Sequence, residues 1–453
     1  MTSPLPDRIR WSAYLAMQMV GQRRFPFRPA HVIRAAQQRN LSATVRHAYL
    51  TVPYYRETMR RLGLTPSDIT QADDLGKLPV LERELVQRDP EYLLSESMAG
   101  RRLRSARSSG SAGEPLTVFW DWPASFRSAA HGERFRTILT AAIGRRFGYR
   151  ETLIAVPGGS TSQGAEFNQS AAWLPRWLRV DRQEIDLTEP LAEVATRVNR
   201  FKPDVLRANG SYVDGLVTHL RAKGAPFHRP RAIVFGGDGL SDACRRIVTD
   251  DLGIPVFGLY QSIEAPRMGF ECEQHSGLHL NVDLYPLRIV DPEGRPLPLE
   301  APGEVLVSNL VNRATVLLNY RQGDRAAMNP GLCGCGRSLP LLSAVDGRSD
   351  EWFDLADGTR LHSQVACNAL RHEEHVWQYQ LRQPVRGSLQ VWLVCAEACD
   401  RESLAQRVRM RLMELLGINA NIDIQFVETI PPDPSGKRRA VVRSDRAEDG
   451  AGR

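Results

Sequence analysis

The chain has 453 residues, of which 42% are hydrophobic and 25% charged, and its formal net charge is +7 at pH 7. Its length exceeds the size at which a single hydrophobic core stops growing, so two or more domains are expected. The composition excludes an intrinsically disordered chain. The basic charge comes without a helix-turn-helix, zinc-finger or aromatic RNA-binding signature, which argues against nucleic-acid binding and suits an acidic small ligand.

The seven cysteines and the N-terminal segment bear on localisation. An odd number of cysteines in a long chain is not a disulfide scaffold, so a reducing, cytoplasmic compartment is expected. The apolar part of residues 7–20 is short and is interrupted by Gln18, which is unlike a signal peptide. We expect a helix there, with Ile9, Trp11, Leu15 and Met19 on one face. No stretch is long and apolar enough for a transmembrane segment.

The predicted elements alternate after an initial helical region at residues 41–93. Strands are predicted at 152–156, 232–237, 255–260 and 303–310, and a helix at 211–224, where Gly224 suits the C-terminal cap. Strands that alternate with helices are typical of an α/β domain with a largely parallel sheet.

A second, smaller domain is predicted from Gly347. The segments 388–397 and 421–430 alternate as strands do, and residues 402–417 form an amphipathic helix with Leu404, Val408, Leu412 and Leu415 aligned. The sequence therefore predicts a large N-terminal domain at 1–346 and a small α+β C-terminal domain at 347–453.

A glycine- and serine-rich segment, "RSSGSAGEP" at 107–115, precedes an apolar run. Successive backbone N–H groups and serine hydroxyls can form a nest for phosphate oxygens. The segment is not a Walker A loop, because no Lys-Ser/Thr pair follows the second glycine. A plain connecting turn is the alternative.

Four further motifs carry residue types suited to nucleotide chemistry. In "YQSIEAP", Tyr260 ends a predicted strand and can stack on a base, and Glu264 can hold Mg²⁺. In "YRQGD", Asp324 can accept hydrogen bonds from ribose hydroxyls. "DGRSDEWF" and "PSGKRR" place Arg348 at the domain junction and Lys437 in a loop. A core tyrosine, a turn aspartate and solvated charges are the alternatives for the same residues.

The five motifs, in this order, resemble those of the adenylate-forming superfamily, and most of all its phenylacetate–CoA ligase and CapK-like branch. The segments "HAYLTVPYYRETMRRLGLTPSDITQADDLGKLPVLERE" and "GRSLPLLSAVDGRSDE" are also similar to that branch. The resemblance covers about residues 40–440. It implies a large adenylation domain with mixed and parallel sheets, joined to a small mobile C-terminal domain by a hinge near Asp350.

The resemblance also implies a reaction in two steps. ATP activates a small carboxylic acid as an acyl-adenylate, and coenzyme A then displaces AMP. Lys437 would bridge the two reacting anions, Glu264 would hold Mg²⁺, and the loop around Gly358 would face the sheet in the second step. The implied nucleotide-binding residues are Ser108, Ser109, Gly110, Ser111, Gly113, Gly236, Gly237, Asp238, Tyr260, Gln261, Ser262, Asp324 and Arg348.

Three residues depart from the pattern of that superfamily. Ala112 stands where a threonine or serine is usual, Gln261 where glycine is usual, and Asp238 where glutamate is common. Gln261 would lie beside the acyl pocket, which it would narrow or make more polar. These departures affect the expected substrate more than the expected fold.

A metal site is a separate prediction. Cys272, His279, Cys333 and Cys335 can make a tetrahedral zinc site with four protein ligands, with His275 as the substitute for His279. Such a site would be structural, because it leaves no open position for catalysis. Buried free thiols are the alternative. The remaining cysteines are predicted to be packing residues.

Three functions stay open at this point. The first is an acyl- or aryl-CoA ligase; the second is an amide ligase that transfers the adenylated acid to an amine. The third is a catalytically impaired nucleotide-binding protein in polysaccharide or secondary-metabolite assembly, which Ala112 and Gln261 would favour. The resemblance also allows a homodimer.

Overall fold

A computed structural model describes most of the chain as a mixed α/β fold, which confirms the predicted fold class. The described residues are 5–107, 116–173, 175–224, 226–343, 345, 352–355, 360–363, 366–367, 370, 373, 375–396, 399–416, 421–431 and 439–443. They form two compact units. The first is Met1–Glu151, Ala155–Gln183 and Phe257–Asp346, and the second is Thr152–Ile154, Glu184–Val256 and Gly347–Arg453. The predicted domain division at residue 347 stays a prediction.

The helices begin and end at residues that suit those positions. Asp121 caps the helix after it by accepting the Ala124 N–H, and Gly144 and Gly224 end helices in the left-handed conformation. Within the described residues, no helix is both long and apolar enough to cross a membrane. The helices are α1 (Leu5–Met19), α2 (Ala30–Thr51), α3 (Pro53–Arg61), α4 (Arg83–Arg88), α5 (Trp122–His131), α6 (Glu133–Ile143), α7 (Ser160–Ala171), α8 (Leu191–Phe201), α9 (Gly210–Lys223), α10 (Asp242–Arg246) and α11 (Arg401–Leu416).

The strands confirm the predicted ones within four residues at their ends. They are β1 (Arg104–Arg107), β2 (Thr117–Trp120), β3 (Arg150–Ala155), β4 (Asp181–Asp186), β5 (Val205–Ala208), β6 (Ala232–Gly236), β7 (Val256–Tyr260), β8 (Gly269–Glu271), β9 (Leu278–Leu280), β10 (Leu287–Val290), β11 (Gly303–Val307), β12 (Tyr320–Ala326), β13 (Met328–Asn329), β14 (Leu341–Leu342), β15 (Trp352–Asp354), β16 (Arg360–His362), β17 (Val376–Gln383), β18 (Ser388–Cys395), β19 (Asn421–Phe426) and β20 (Val441–Arg443).

The first unit is built from antiparallel strand pairs and the helices α1 to α7. The strands β10, β11 and β12 form one sheet, and β13, β14, β9, β8 and β7 follow one another in that order in another. Tyr55 links α3 to this core: its hydroxyl donates to the Val316 carbonyl and accepts from the Leu318 N–H. Buried apolar side chains of α2, α3 and β9 to β12 surround this contact. Together with the buried side chains of the segment 309–320, they form the core of the unit.

At the start of the chain, α1 packs on α5 through aromatic side chains. The Trp11 and Phe126 rings stack with centroids 4.9 Å apart, and Tyr14 and Leu15 pack against the same cluster. The prediction that Ile9 shares this face is wrong, because Ile9 is 53% exposed. The reason is geometric: residues 11, 14 and 15 cluster on a side of the helix that residue 9 does not reach.

The second unit contains a parallel pair and a four-stranded sheet. The strands β5 and β6 pair in parallel, as predicted, and α8, α9 and α10 contribute to the apolar core beside them. The other sheet has the order β19-β18-β17-β20. Helix α11 buries Leu404, Val408 and Leu412, three predicted core positions one turn apart.

Candidate active site

Two of the predicted nucleotide motifs lie side by side and exchange hydrogen bonds. The Tyr260 hydroxyl donates to Asp324 Oδ2 at 2.8 Å, and Ser262 Oγ donates to Gln322 Oε1 at 3.4 Å. At the other end of these two motifs, the Tyr320 hydroxyl donates to Glu264 Oε1 at 3.2 Å. The two segments, 260–264 and 320–324, therefore run in opposite directions and pair at every second residue. We call this arrangement the crossed pair.

A bulge in β12 gives the crossed pair its shape. Glu304 of β11 pairs with Arg325, but Leu306 pairs with Arg321, so β12 contains two extra residues between these points. Gly323 has a φ of 81°, which glycine adopts without the steric penalty of a side chain. Bulges often redirect side chains beside functional sites. In this bulge, Gln322 and Asp324 leave the regular β11–β12 pairing and lie toward the end of β7.

Glu264 is a buried carboxylate, only 4% exposed, at the end of the crossed pair. Besides Tyr320, it has Arg83 of α4 beside it, with 3.7 Å between Nη1 and Oε1. Its backbone carbonyl accepts a hydrogen bond from Asn309 Nδ2 at 2.7 Å, so the main chain is fixed as well. A buried carboxylate with few neighbouring cations can hold a divalent cation through its oxygens.

The two tyrosines of the crossed pair stay protonated over the ordinary pH range. Burial raises the pKa of Tyr260 well above its usual value, and the Asp324 carboxylate raises it further. Burial and then Glu264 do the same for the pKa of Tyr320, although Arg83 opposes them. Both hydroxyls can therefore act only as hydrogen-bond donors to the two carboxylates, and they hold these in place.

The glycine- and serine-rich segment is flanked by β1 and β2, and β2 contacts the crossed pair. The strands β1 and β2 pair antiparallel, with Arg107 opposite Thr117. At the end of β2, Trp120 Nε1 donates to the Ile263 carbonyl at 3.2 Å. The strand after the segment is thus fixed to the residue before Glu264. The segment itself, with Ser108, Ser109, Gly110, Ser111 and Gly113, lies outside the described residues.

Gly236, Gly237 and Asp238 lie in the second unit, at the end of β6 and directly after it. Gly237 has a φ of 86°, and a Cβ there would lie 3.0 Å from Asn209 Oδ1, so both backbone and space favour glycine. The Asp238 carboxylate accepts from the Ser211 N–H at 3.0 Å and from its hydroxyl at 2.6 Å, at the start of α9.

A second serine–aspartate contact lies next to that of Ser211 and Asp238. The Ser241 hydroxyl at the start of α10 donates to Asp214 at 2.6 Å. Burial raises the pKa of Asp214 to about 7, although the hydrogen bonds from Ser241 oppose this. These two contacts hold the loop after β6 between two helices.

Other predicted residues lie outside the described residues. Arg348, Lys437, the hinge residue Asp350 and the loop at Gly358 are among them, so their positions relative to the crossed pair stay predictions.

The predicted metal ligands form a cluster in the first unit. One ligand atom from each of Cys272, His279, Cys333 and Cys335 lies within 4.8 Å of the others. Cys272 Sγ is 3.5 Å from Cys333 Sγ, and Cys335 Sγ is 3.3 Å from His279 Nε2. Ligand atoms about 2.0–2.3 Å from a tetrahedral zinc ion lie about 3.3–3.8 Å apart, so these distances fit that geometry. We call these four residues the Cys/His cluster.

His275, the predicted substitute for His279, lies outside the Cys/His cluster. Its ring stacks on Phe257, with centroids 5.6 Å apart, and its Nδ1 is 3.8 Å from Glu271 Oε2. The strand β9 carries His279 into the sheet instead, where it pairs with Leu341 of β14. Of the two histidines that the sequence offered, the described structure brings His279 to the cysteines.

The surroundings of the Cys/His cluster suit a closed site. Burial raises the pKa of Cys272 to about 12, and burial followed by the charge of Arg337 lowers the pKa of His279 to about 4. The imidazole is therefore neutral and can use a ring nitrogen as a ligand. A bound cation would reverse the effect on the thiol, because a coordinated cysteine is deprotonated. Arg337 is itself held by Glu273, at 2.9 Å.

Sequence reasoning missed three residues of the candidate site. Arg83 and Tyr320 were within quoted motifs but received no role, because their contact with Glu264 joins segments far apart in the chain. Asn309, which fixes the Glu264 main chain, lies near the end of the strand predicted at 303–310 and carried no signal of its own.

Known proteins are similar to this chain over most of its length. Residues 355–444 match the model of the CapK C-terminal domain. The phenylacetate-coenzyme A ligase of Thermus thermophilus is 24% identical over 91% of this chain and 97% of its own length. Protein CapK of Staphylococcus aureus is 20% identical over 86% of this chain and 85% of its own.

These relatives and the matching domain model support the adenylate-forming superfamily, in its phenylacetate–CoA ligase and CapK-like branch, as the group that this chain resembles. Among solved structures of this superfamily, a 2-hydroxyisobutyryl-CoA ligase in the postadenylation state has a TM-score of 0.74. It is 18% identical, and the match covers 94% of this chain and 92% of that one. At this identity the likeness describes the fold alone.

Proposed function

We propose that this protein belongs to the adenylate-forming superfamily and is an acid–thiol ligase that acts through an acyl-adenylate. In the first step, a carboxylate oxygen of the acid attacks the α-phosphorus of ATP, and pyrophosphate leaves. In the second, the sulfur of coenzyme A attacks the acyl carbon, and AMP leaves. Relatives that are phenylacetate-coenzyme A ligases, and that match nearly the whole chain, support this proposal.

The crossed pair is the observation that carries the proposal. It places an aromatic ring, Tyr260, and two carboxylates, Asp324 and Glu264, on two neighbouring segments held by mutual hydrogen bonds. The ring would stack on adenine, Asp324 would accept from the ribose hydroxyls, and Glu264 would hold Mg²⁺. A purely structural role explains less well why two carboxylates are both fixed by tyrosine hydroxyls.

The phosphate-binding and nucleotide-binding residues follow from the same proposal. Ser108, Ser109, Gly110, Ser111 and Gly113 would offer N–H and O–H donors to the β- and γ-phosphates. Gly236, Gly237, Asp238, Gln261 and Ser262 would complete the nucleotide site. Its support is the attachment of β2, the strand that follows this segment in the chain, to Ile263, the residue before Glu264.

The two steps require different neighbours around the acyl group. Adenylation brings two anions together, so a cation at the reacting atoms lowers the barrier. Lys437 and Arg348, both in the predicted C-terminal domain 347–453, would supply it. A rotation of that domain about Asp350 would then remove the lysine and bring the loop at Gly358 to the acyl group. Domain movement of this kind separates two half-reactions in one site.

We also propose that the Cys/His cluster binds a structural zinc ion. Three thiols and an imidazole are the donor set that zinc prefers, and four protein ligands leave no position open for chemistry. The ion would tie the β8–β9 hairpin to the segment around Cys333 and Cys335. Since β8 follows the loop that carries Glu264, the metal would stabilise the position of that loop without being part of the candidate active site.

Substitution of Glu264 by glutamine is expected to reduce the rate of acyl-adenylate formation ~10²-fold, because it removes the carboxylate that would hold Mg²⁺ at the phosphates. The loss should shrink as the Mg²⁺ concentration is raised. Single-turnover measurement of pyrophosphate release over a Mg²⁺ series checks this. Glu293→Gln, the same change at an exposed position, serves as the control. An unchanged rate and Mg²⁺ dependence in Glu264→Gln would refute the role of this carboxylate.

A screen of pyrophosphate release over a panel of carboxylic acids tests the proposed function and separates the three candidates. Adding coenzyme A to the preformed adenylate should yield a thioester and AMP. An amide that forms from an added amine without coenzyme A would instead identify an amide ligase. ATP binding by calorimetry without pyrophosphate release from any acid would identify an impaired nucleotide-binding protein.

A further inference from the structure

The helix α1 has apolar side chains on two opposite sides. One side packs on α5 through Trp11, Tyr14 and Leu15, in the aromatic cluster described above. The helix buries none of its residues fully, however, and its other side is exposed. From residue 5 to residue 20, the exposed positions are Leu5, Pro6, Ile9, Arg10, Ala13, Ala16, Met17 and Val20. We call this set the outer face of α1.

The outer face is almost entirely apolar. Its positions recur every three or four residues, so they share one side of the helix. Arg10 is the one charged residue among them, and its Nη2 lies 3.5 Å from Oδ1 of Asp7. Val20, directly after the helix, is 79% exposed. Apolar surface that is contiguous and exposed in this way indicates a site that binds another protein or a membrane.

Two exposed tryptophans follow one another in a segment that is attached to α1. The Trp173 N–H donates to Ser12 Oγ at 2.7 Å, and Arg8 Nη2 donates to the Ala172 carbonyl at 3.2 Å. Trp173 is 45% exposed, and Trp177, four residues later, is 71% exposed. Tryptophan is enriched where a membrane meets water, because its ring is apolar and its N–H is polar. Trp173 therefore extends the exposed apolar surface beyond the helix.

The charge next to the outer face has one sign. Residues 5–56 contain nine arginines, no lysine or glutamate, and a single aspartate, Asp7. Arg23, Arg24 and Arg28 come soon after α1 and are exposed. The Cα of Arg23 lies no more than ~11 Å from that of Val20, since three peptide units separate them. Charges act over about 10 Å in dilute salt solution, so one partner can meet both the arginines and the outer face.

An anionic partner suits this charge better than a second copy of the chain does. In a two-fold dimer the same patch of both copies meets, so the arginines of one copy would face those of the other. Like charges that face each other oppose association. A bilayer that contains anionic phospholipids offers acyl chains to the apolar side chains and negative headgroups to the arginines. Helices that lie on membrane surfaces combine these two features.

We propose that α1 binds the surface of an anionic phospholipid bilayer. Its outer face lies at the boundary between headgroups and acyl chains, and Arg23, Arg24 and Arg28 contact the headgroups. The opposite side of the helix stays on α5, so binding requires no unfolding of the first unit. The crossed pair belongs to the same unit, so its chemistry takes place at a membrane surface. This inference goes beyond the proposed function and does not depend on it.

Co-sedimentation of the full chain with vesicles tests the proposal. Vesicles of phosphatidylcholine alone are compared with vesicles of equal parts phosphatidylcholine and phosphatidylglycerol. We expect the wild type to bind the mixed vesicles ~10²-fold more tightly, since each of the three arginines contributes about fivefold near an anionic surface. The binding should weaken as the salt concentration rises.

The arginines are tested by the double variant Arg23→Gln, Arg24→Gln. It should bind the mixed vesicles ~25-fold more weakly, at about fivefold for each charge removed. Lysine at both positions keeps the charge and should keep the binding. The matched control is Arg101→Gln, Arg409→Gln, which removes two charges from other exposed positions and should bind as the wild type does.

The apolar side chains are tested by the double variant Ile9→Gln, Met17→Gln. We expect its binding to be ~10-fold weaker, because less apolar area leaves water on binding. The control Leu299→Gln, Met410→Gln makes similar changes at positions that are 60% and 56% exposed, against 53% and 59% for Ile9 and Met17. This control should bind the mixed vesicles as the wild type does.

Three results would overturn the proposal. One is wild-type binding that is equal for the two kinds of vesicle, or absent from both. Another is unchanged binding by Ile9→Gln, Met17→Gln when the unfolding temperature of this variant matches that of the wild type. The third comes from sedimentation equilibrium without vesicles: a wild-type dimer that the same variant separates into monomers, together with no vesicle binding, would show that the outer face joins two copies of the chain.

Discussion

Lys437→Ala is expected to slow acyl-adenylate formation ~10³-fold while leaving ATP binding nearly unchanged, because the lysine charge matters most where the carboxylate and the α-phosphate repel each other. The second half-reaction should be spared. When the variant receives preformed acyl-adenylate and coenzyme A, thioester formation should proceed at close to the wild-type rate, since Lys437 would be withdrawn at that stage. Single-turnover kinetics of each half-reaction measures the two effects separately.

Arg438→Ala provides the control for Lys437→Ala, because it removes a positive charge from the next residue of the same segment. A merely electrostatic contribution of the segment would slow both variants equally. If Lys437→Ala forms the adenylate at the wild-type rate, the lysine has no catalytic role. If it slows both half-reactions alike, the proposed rotation of the C-terminal domain loses its main support.

Cys272→Ser is expected to abolish zinc binding and to lower the free energy of unfolding by several kcal/mol. Structural zinc ions contribute ~10–16 kcal/mol in small peptides, and a large core makes this chain less dependent on one ion. Elemental analysis of the purified wild type should give one zinc per chain, and the variant should contain none. Chelation should lower the unfolding temperature of the wild type but not that of the variant.

Cys399→Ser is the matched control, since Cys399 lies outside the Cys/His cluster and is only half-buried. It should retain the zinc and unfold near the wild-type temperature. Wild-type protein free of zinc, and equally stable with and without a chelator, would contradict the proposed site. His275→Ala, which alters the histidine outside the cluster, should likewise leave the zinc content unchanged.

Local patterns predicted much of the fold. The helix α9 ends at Gly224 as predicted, and α11 buries Leu404, Val408 and Leu412 as its periodicity indicated. The helix α7, which begins at Ser160, was not predicted. Its glycines and polar residues carry little helical periodicity, so contacts elsewhere in the fold decide its conformation.

The candidate site was predictable residue by residue but not as a geometry. The motifs identified Tyr260, Glu264 and Asp324, yet the crossed pair depends on a bulge that depends in turn on Gly323. Sequence order does not reveal which side chains of two distant segments face each other.

The proposed ligase activity requires that the crossed pair bind a nucleotide and that an acid be adenylated there. The direct measurement is the exchange of labelled pyrophosphate into ATP in the presence of Mg²⁺ and single carboxylic acids, without coenzyme A or an amine. The account predicts exchange that needs both Mg²⁺ and an accepted acid, and that falls sharply in Glu264→Gln. Calorimetric binding of ATP together with no exchange for any acid in the panel would contradict it.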